Sequence, residues 1–314
     1  MEAAMTGAKN QESLELHARD VTFDWSATPL EWITGEPFAS MGIAGVLHLV
    51  LPEGERWFCE AFTEALPSIK DEELARTVRG FIGQEAMHAA SHDTAVTEYL
   101  ERQGVDTGPF VRQMEFAFRH MLGPRTYRSN KARYNDMVER LWLIAAIEHY
   151  TAILGVFVLN SRWDEFEIDP AMADICRWHG AEEVEHRSVA HDVAMYFDPS
   201  YLHRCRAMLT VVFFMLTFFP RAARFVERAS TGRRMHLPRF LWEYMRAGRK
   251  GLVPPIRSVV WFTLLYFDPR FDPETIGSTD QAVAYLASSP AVRGSGTLSA
   301  QRRVPSESWG CGGC

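Results

Sequence analysis

The chain has 314 residues, 47% of them hydrophobic, which is enough for a large buried core. Its formal charge of -7 argues against a nucleic-acid-binding surface. Five cysteines in a chain of this length do not make a secreted disulfide framework, and residues 1–20 lack an apolar signal core, so a cytoplasmic protein is expected.

Taken in order, residues 1–20 read as a flexible polar arm. Residues 21–37 read as irregular structure anchored by Phe23, Trp25 and Trp32. A helix is expected over 38–66, kinked or restarted at Pro52. A long helix follows over 71–103, opened by acidic residues and closed by Gly104. Further helices are expected at 110–121, at 131–160, and from Pro170 to about Phe197. Segments 200–230 and 236–268 read as helices laid on that bundle. From Ser288 onward Ser, Gly and Pro accumulate, and 288–314 reads as a disordered tail. One helical domain over 21–287 is the expectation.

The apolar run 207–219 is shorter than the ~20 residues a membrane-spanning helix needs. It is expected to pack on the bundle as a buried helix, with peripheral membrane contact through 207–219 as the other reading. The Cys311-Gly312-Gly313-Cys314 end reads as a random tail, with a mobile dithiol as the other reading.

The chemistry concentrates in two stretches. In 178–186 (WHGAEEVEH) a helix places His179, Glu183 and His186 on one face, within an arc of roughly 100°. In 83–88 (GQEAMH) Glu85 and His88 form a second Glu-x-x-His pair. Glu55 lies thirty positions before Glu85, and Glu148 thirty-five before Glu183, each a helix-turn-helix spacing. The order Glu, Glu-x-x-His, Glu, Glu-x-x-His is that of a ferritin-like four-helix bundle holding two metal ions, here with additional C-terminal helices. The expected ligands are Glu55, Glu85, His88, Glu148, Glu183 and His186, with His179 as an extra nitrogen donor. Buried carboxylates without partners cost several kcal/mol each, and two divalent cations would offset that. His92 and His149 are expected as core residues or as partners of ligands. Glu182 is a plausible partner of a ligand, and Glu185 is expected to face solvent or another helix. Asp93 and Asp192, each following a His, could accept from a ligating imidazole.

With Pro-Glu-Gly-Glu-Arg (52–56), Gln-Glu-Ala-Met-His (84–88), Ile-Glu-His-Tyr-Thr-Ala (147–152) and Glu-Glu-Val-Glu-His (182–186), the sequence resembles the predicted metal-dependent hydrolases over roughly 35–265. That resemblance implies hydrolysis and names no substrate. The His179-x-x-x-Glu183-x-x-His186 helix also resembles the di-iron arylamine N-oxygenases, which implies an additional His ligand at His179.

Mixed His and carboxylate donors suit iron or manganese, so the leading expectation is an O2-activating di-iron oxidase or oxygenase. Its partners would be an apolar small molecule, O2 and an electron donor. A two-metal hydrolase is the alternative. A non-enzymatic metal-binding protein is the third reading.

Overall fold

The computed structural model describes residues 15–294. Eleven α-helices account for most of them, and no strand occurs among the described residues beyond one isolated bridge between Ile33 and Ile168. The fold is all-α, as expected.

The segment expected at 38–66 is two helices, α1 (Pro37–Leu49) and α2 (Leu51–Ala65). Pro52 sits in the first turn of α2, where its missing N–H costs nothing. Asp71 caps α3 (Glu72–Ala95) by accepting from the N–H groups of Glu73 and Leu74. A π-type turn over Val96–Glu101 carries α3 toward Gly104. α4 (Gly108–Glu115) also ends in such a turn, Phe116–Met121. Ser129 caps α5 (Asn130–Leu159), and Asp169, followed by Pro170, caps α6 (Pro170–Glu185).

The helix expected to run unbroken from Pro170 to Phe197 is interrupted. His186 leaves helical geometry at φ -104° and ψ 13°, and α7 (Val189–Phe197) restarts after it. At this break the buried Arg187 guanidinium turns back to the Val184 carbonyl and reaches Glu274 at 2.6 Å. Three helices follow: α8 (Tyr201–Thr231), α9 (Leu237–Lys250) and α10 (Ile256–Tyr266). α11 (Thr279–Ser288) packs against α6.

Two helix pairs organise the interior, α2 on α3 and α5 on α6, with α2 also meeting α5. The α5–α6 contact is made by backbone. A Cβ on Gly155 would stand 2.2 Å from the Gly180 carbonyl oxygen, so only glycine permits this approach. Glu148 lies two turns before Gly155, and Glu183 lies three residues after Gly180. The close crossing therefore holds these two carboxylates in register.

Three boundaries differ from expectation. Residues 15–20 of the expected arm are packed, with Leu16 buried across Gly80 of α3 and Arg19 engaged in ion pairs. Within the expected tail, Ser289 and Ala291 are packed, buried and bonded to Asp174. The run 207–219 is no separate buried helix but the middle of α8, and only 22% of that helix's most apolar window is buried. Residues 1–14 and 295–314, including Cys311 and Cys314, lie outside the described residues.

Among the described residues, two helical stretches are long and apolar enough to cross a membrane, Asn130–Glu165 and Tyr201–Thr231. The first is 72% buried over its apolar window, as a core helix is.

Candidate metal centre

Each of four helices contributes to one buried cluster. Glu55 comes from α2, Glu85 and His88 from α3, Glu148 from α5, and His179 and Glu183 from α6. His186 stands at the break just after α6. All seven are buried, and Glu85, His88 and His186 are fully so.

Donor atoms of Glu85, Glu148, Glu183 and His186 lie within 4.8 Å of one another. His186 Nε2 is 3.2 Å from Glu183 Oε2, 3.2 Å from Glu148 Oε2 and 3.3 Å from Glu85 Oε1. Glu183 Oε1 faces the other side of the cluster, 2.7 Å from His179 Nε2 and 3.5 Å from His88 Nδ1. Glu55 Oε1 closes that side, 3.8 Å from His179 Nε2 and 3.9 Å from His92 Nε2. Glu183 thus spans two neighbouring donor groups with its two oxygens. The alternation of Glu and Glu-x-x-His along the chain becomes this pair of groups in space.

Hydrogen bonds around the cluster decide which imidazole nitrogen faces inward. Gln84 Nε2 donates to Glu185 Oε2 at 3.1 Å, which turns its Oε1 toward His186. His186 Nδ1 donates to that oxygen at 3.1 Å. In the neutral ring Nε2 is then a lone pair, aimed at three carboxylates. His88 is held in the same way. Its Nε2 donates to Glu182 Oε2 at 2.9 Å, and its Nδ1 lone pair faces Glu85 and Glu183. Acceptor facing acceptor is repulsive unless a proton or a cation stands between them.

Electrostatics carry the same strain. Burial, reinforced by Glu183, raises Glu55 well above the usual carboxylate range. Burial with Glu148 does the same to Glu85, and Glu148 itself is raised to about 7 by burial and Glu183. Burial would raise Glu183 too, but His186 and His179 hold it well below its ordinary value. Burial would lower His186, yet Glu183 and Glu148 raise it well above. Burial and the neighbouring His179 lower His88 to about 4.

Both oxygens of Glu55, both of Glu85, Glu148 Oε2 and His88 Nδ1 have no hydrogen-bond partner. Buried polar atoms without partners are rare and call for an explanation. Divalent cations would fit the donors: hard oxygen and imidazole nitrogen, converging, with lone pairs inward.

The structure also brings in groups that sequence spacing did not single out. Arg19 Nη1 binds Glu182 at 2.6 Å and Glu185 at 2.8 Å, locking the carboxylate that holds His88. His48 Nδ1 lies 3.2 Å from His92 Nδ1, and His92 Nε2 lies 2.7 Å from His179 Nδ1. These imidazoles form a buried file that ends on Glu183 through His179. His48 precedes Glu55 by seven residues, two helical turns, which was the available signal for it. Arg19, 163 positions from Glu182, left none.

His92 is therefore a direct neighbour of Glu55 and His179. His149 points elsewhere, donating to the Phe262 carbonyl of α10 at 2.9 Å. Glu182 and Glu185 both serve the cluster from outside, Glu185 facing α3 through Gln84. Asp93 is paired with Arg56 rather than with an imidazole, and Asp192 is exposed.

A narrow cleft opens onto Glu55, Glu85 and Glu183. Phe58, Phe118, Phe214 and Phe219 line it. No curated protein and no solved structure matches the chain. A family model matches residues 17–277, a span that includes every residue of the cluster, and the chain belongs to the family described as predicted metal-dependent hydrolases.

Proposed function

We propose that the protein is a hydrolase working with two divalent cations held by Glu55, Glu85, His88, Glu148, His179, Glu183 and His186. The observation that carries this reading is the set of partnerless carboxylate oxygens and inward imidazole lone pairs in one buried cluster. The family description favours hydrolysis over the oxidation that leads the sequence reading.

The cations, when bound, lower the pKa of a coordinated water and polarise the bond to be cleaved. The chain's own residues do the rest. Glu183 reaches both donor groups and sets their spacing. Gln84 and Glu182 hold the His186 and His88 rings in the tautomers that present a lone pair. Arg19 holds Glu182 and Glu185 in place. The phenylalanine-lined cleft gives the cluster an apolar approach, which favours the apolar part of an ester substrate.

The test is metal analysis together with turnover of chromogenic carboxylic and phosphate esters, with Zn(II) or Mn(II) and without O2. Ester cleavage that is lost with metal content in Glu85→Ala and Glu183→Ala is the expected result. Unchanged metal content in both variants would overturn the site.

O2 activation by an iron pair is the second reading. Four carboxylates with two Glu-x-x-His pairs on four helices favour it, since such donor sets serve carboxylate-bridged iron. Uptake of O2 by the anaerobically loaded Fe(II) protein, with no ester turnover, would put this reading first.

A further inference from the structure

A helix packed on a bundle turns an apolar stripe inward and a polar face outward. α8 has the inward stripe: Ala207, Met208, Val211, Ala222 and Val226 are buried, and the helix packs on α1 and α5. Its outward stripe is apolar too. Leu202, Leu209, Phe213 and Leu216 recur along one face, with Phe213 70% and Leu216 71% exposed.

The next two helices repeat the pattern. α9 exposes Leu241, Trp242 and Met245, and α10, which touches α8, exposes Val260, Trp261 and Leu264. Of nineteen large hydrophobic side chains exposed among the described residues, thirteen lie on these three helices. The turn after α4 adds Phe116 and Met121 beside them, its Phe118 packed edge-on against Phe214 of α8.

Charge singles out the same region. Residues 201–266 carry eleven Arg and one Lys against two Glu, in a chain whose overall charge is -7. Arg228, Arg233, Arg234, Arg249 and Arg257 are exposed there.

We propose that α8, α9 and α10 form a docking face for a bilayer containing anionic lipid, lying in its interface rather than crossing it. Exposed Trp, Leu and Phe among exposed Arg are what an interfacial surface requires: apolar groups for the acyl boundary, cations for the headgroups. Crossing is disfavoured because the inner stripe of α8 is committed to α1 and α5. A second copy is disfavoured because two such basic faces repel each other. The chain's own residues 1–14 and 295–314 contain no apolar run that could cover the face.

The position of α8 gives the face a use. Phe214, Met215 and Phe219 line the cleft that reaches Glu55, Glu85 and Glu183, while Phe213 and Leu216, next to them in sequence, face outward. One helix is therefore both a wall of the cleft and part of the exposed face. If the hydrolase reading holds, a substrate taken from lipid would be lipophilic.

The test is co-sedimentation of the full chain with vesicles of phosphatidylcholine, with or without phosphatidylserine. No turnover is needed, so failure here is separate from failure of the hydrolase reading. Partitioning should favour the anionic vesicles by about fivefold for each basic residue reaching the surface, and should weaken in salt. Phe213→Glu with Leu216→Glu, and separately Trp242→Ser with Trp261→Ser, should reduce binding by more than about tenfold with unchanged circular dichroism. These positions are exposed, so the fold tolerates them. Three results would overturn the proposal: equal failure to bind either vesicle, binding that resists high-salt and alkaline extraction as a spanning helix does, or a lipid-free dimer that the same variants dissociate.

Discussion

Replacing Gly155 with Ala tests the α5–α6 crossing directly. The new Cβ would lie 2.2 Å from the Gly180 carbonyl oxygen and 3.2 Å from the Gly180 Cα. Ordinary contact between heavy atoms is ~3.5 Å, so the two helices must part by about 1 Å. Both obstacles are backbone atoms, which have no rotamer to escape into. Overpacking of this kind costs about 1–3 kcal/mol, and the upper end applies when backbone must move. Ala gains about 1 kcal/mol over Gly in helix propensity. The net loss is about 2 kcal/mol, a fall in Tm of roughly 3 °C for a chain of this size. Gly42→Ala is the control. Its Cβ would meet only Ala223 Cβ, at an ordinary 3.8 Å, so propensity acts alone and Tm should rise. Thermal unfolding of the metal-free proteins, followed by circular dichroism, reads both signs. A Tm for Gly155→Ala at or above wild type would refute the argument that backbone contact sets this crossing. Metal loading of Gly155→Ala should fall as well, since the same crossing sets Glu148 against Glu183.

Gln84→Leu keeps the bulk but removes the acceptor from His186 Nδ1, so metal affinity should drop about 10–100-fold by titration. Arg19→Ala leaves Glu182 and Glu185 buried without their cation, at a cost of about 3 kcal/mol in chemical denaturation; Arg19→Lys should recover little of it, since a bidentate fork is lost. His191 is pushed down to about 4 by burial, with Arg204 adding repulsion. Its folded pKa is below the unfolded value near 6.5, so its contribution is fully present above pH 6.5 and is lost as pH falls toward 4. His191→Gln should flatten that part of the stability profile, by up to about 3 kcal/mol at the acid end.

Much of the cluster was legible because its spacing is local. Glu85 and His88, or His179, Glu183 and His186, share a helix face whatever the rest of the chain does. Asp71, Ser129 and Asp169-Pro170 announce helix starts by equally local chemistry. The readings that changed depended on distant partners. α8 was expected to be buried because its residues are apolar, but burial is a property of what packs against a helix, and only one side of α8 is covered. At the break after α6, Arg187 meets Glu274, 87 positions on.

From the amino-acid order alone came an all-α chain and seven metal-binding candidates, since helix periodicity and capping act within a few residues. Tertiary structure decided how those candidates meet. It put Glu183 between two donor groups, set Gln84 and Glu182 behind the imidazoles, recruited Arg19 and His48, and left the outer face of α8 bare. The physical reason is that a donor's direction, a tautomer and a side chain's exposure are fixed by atoms far away in sequence, which meet only once the helices have packed.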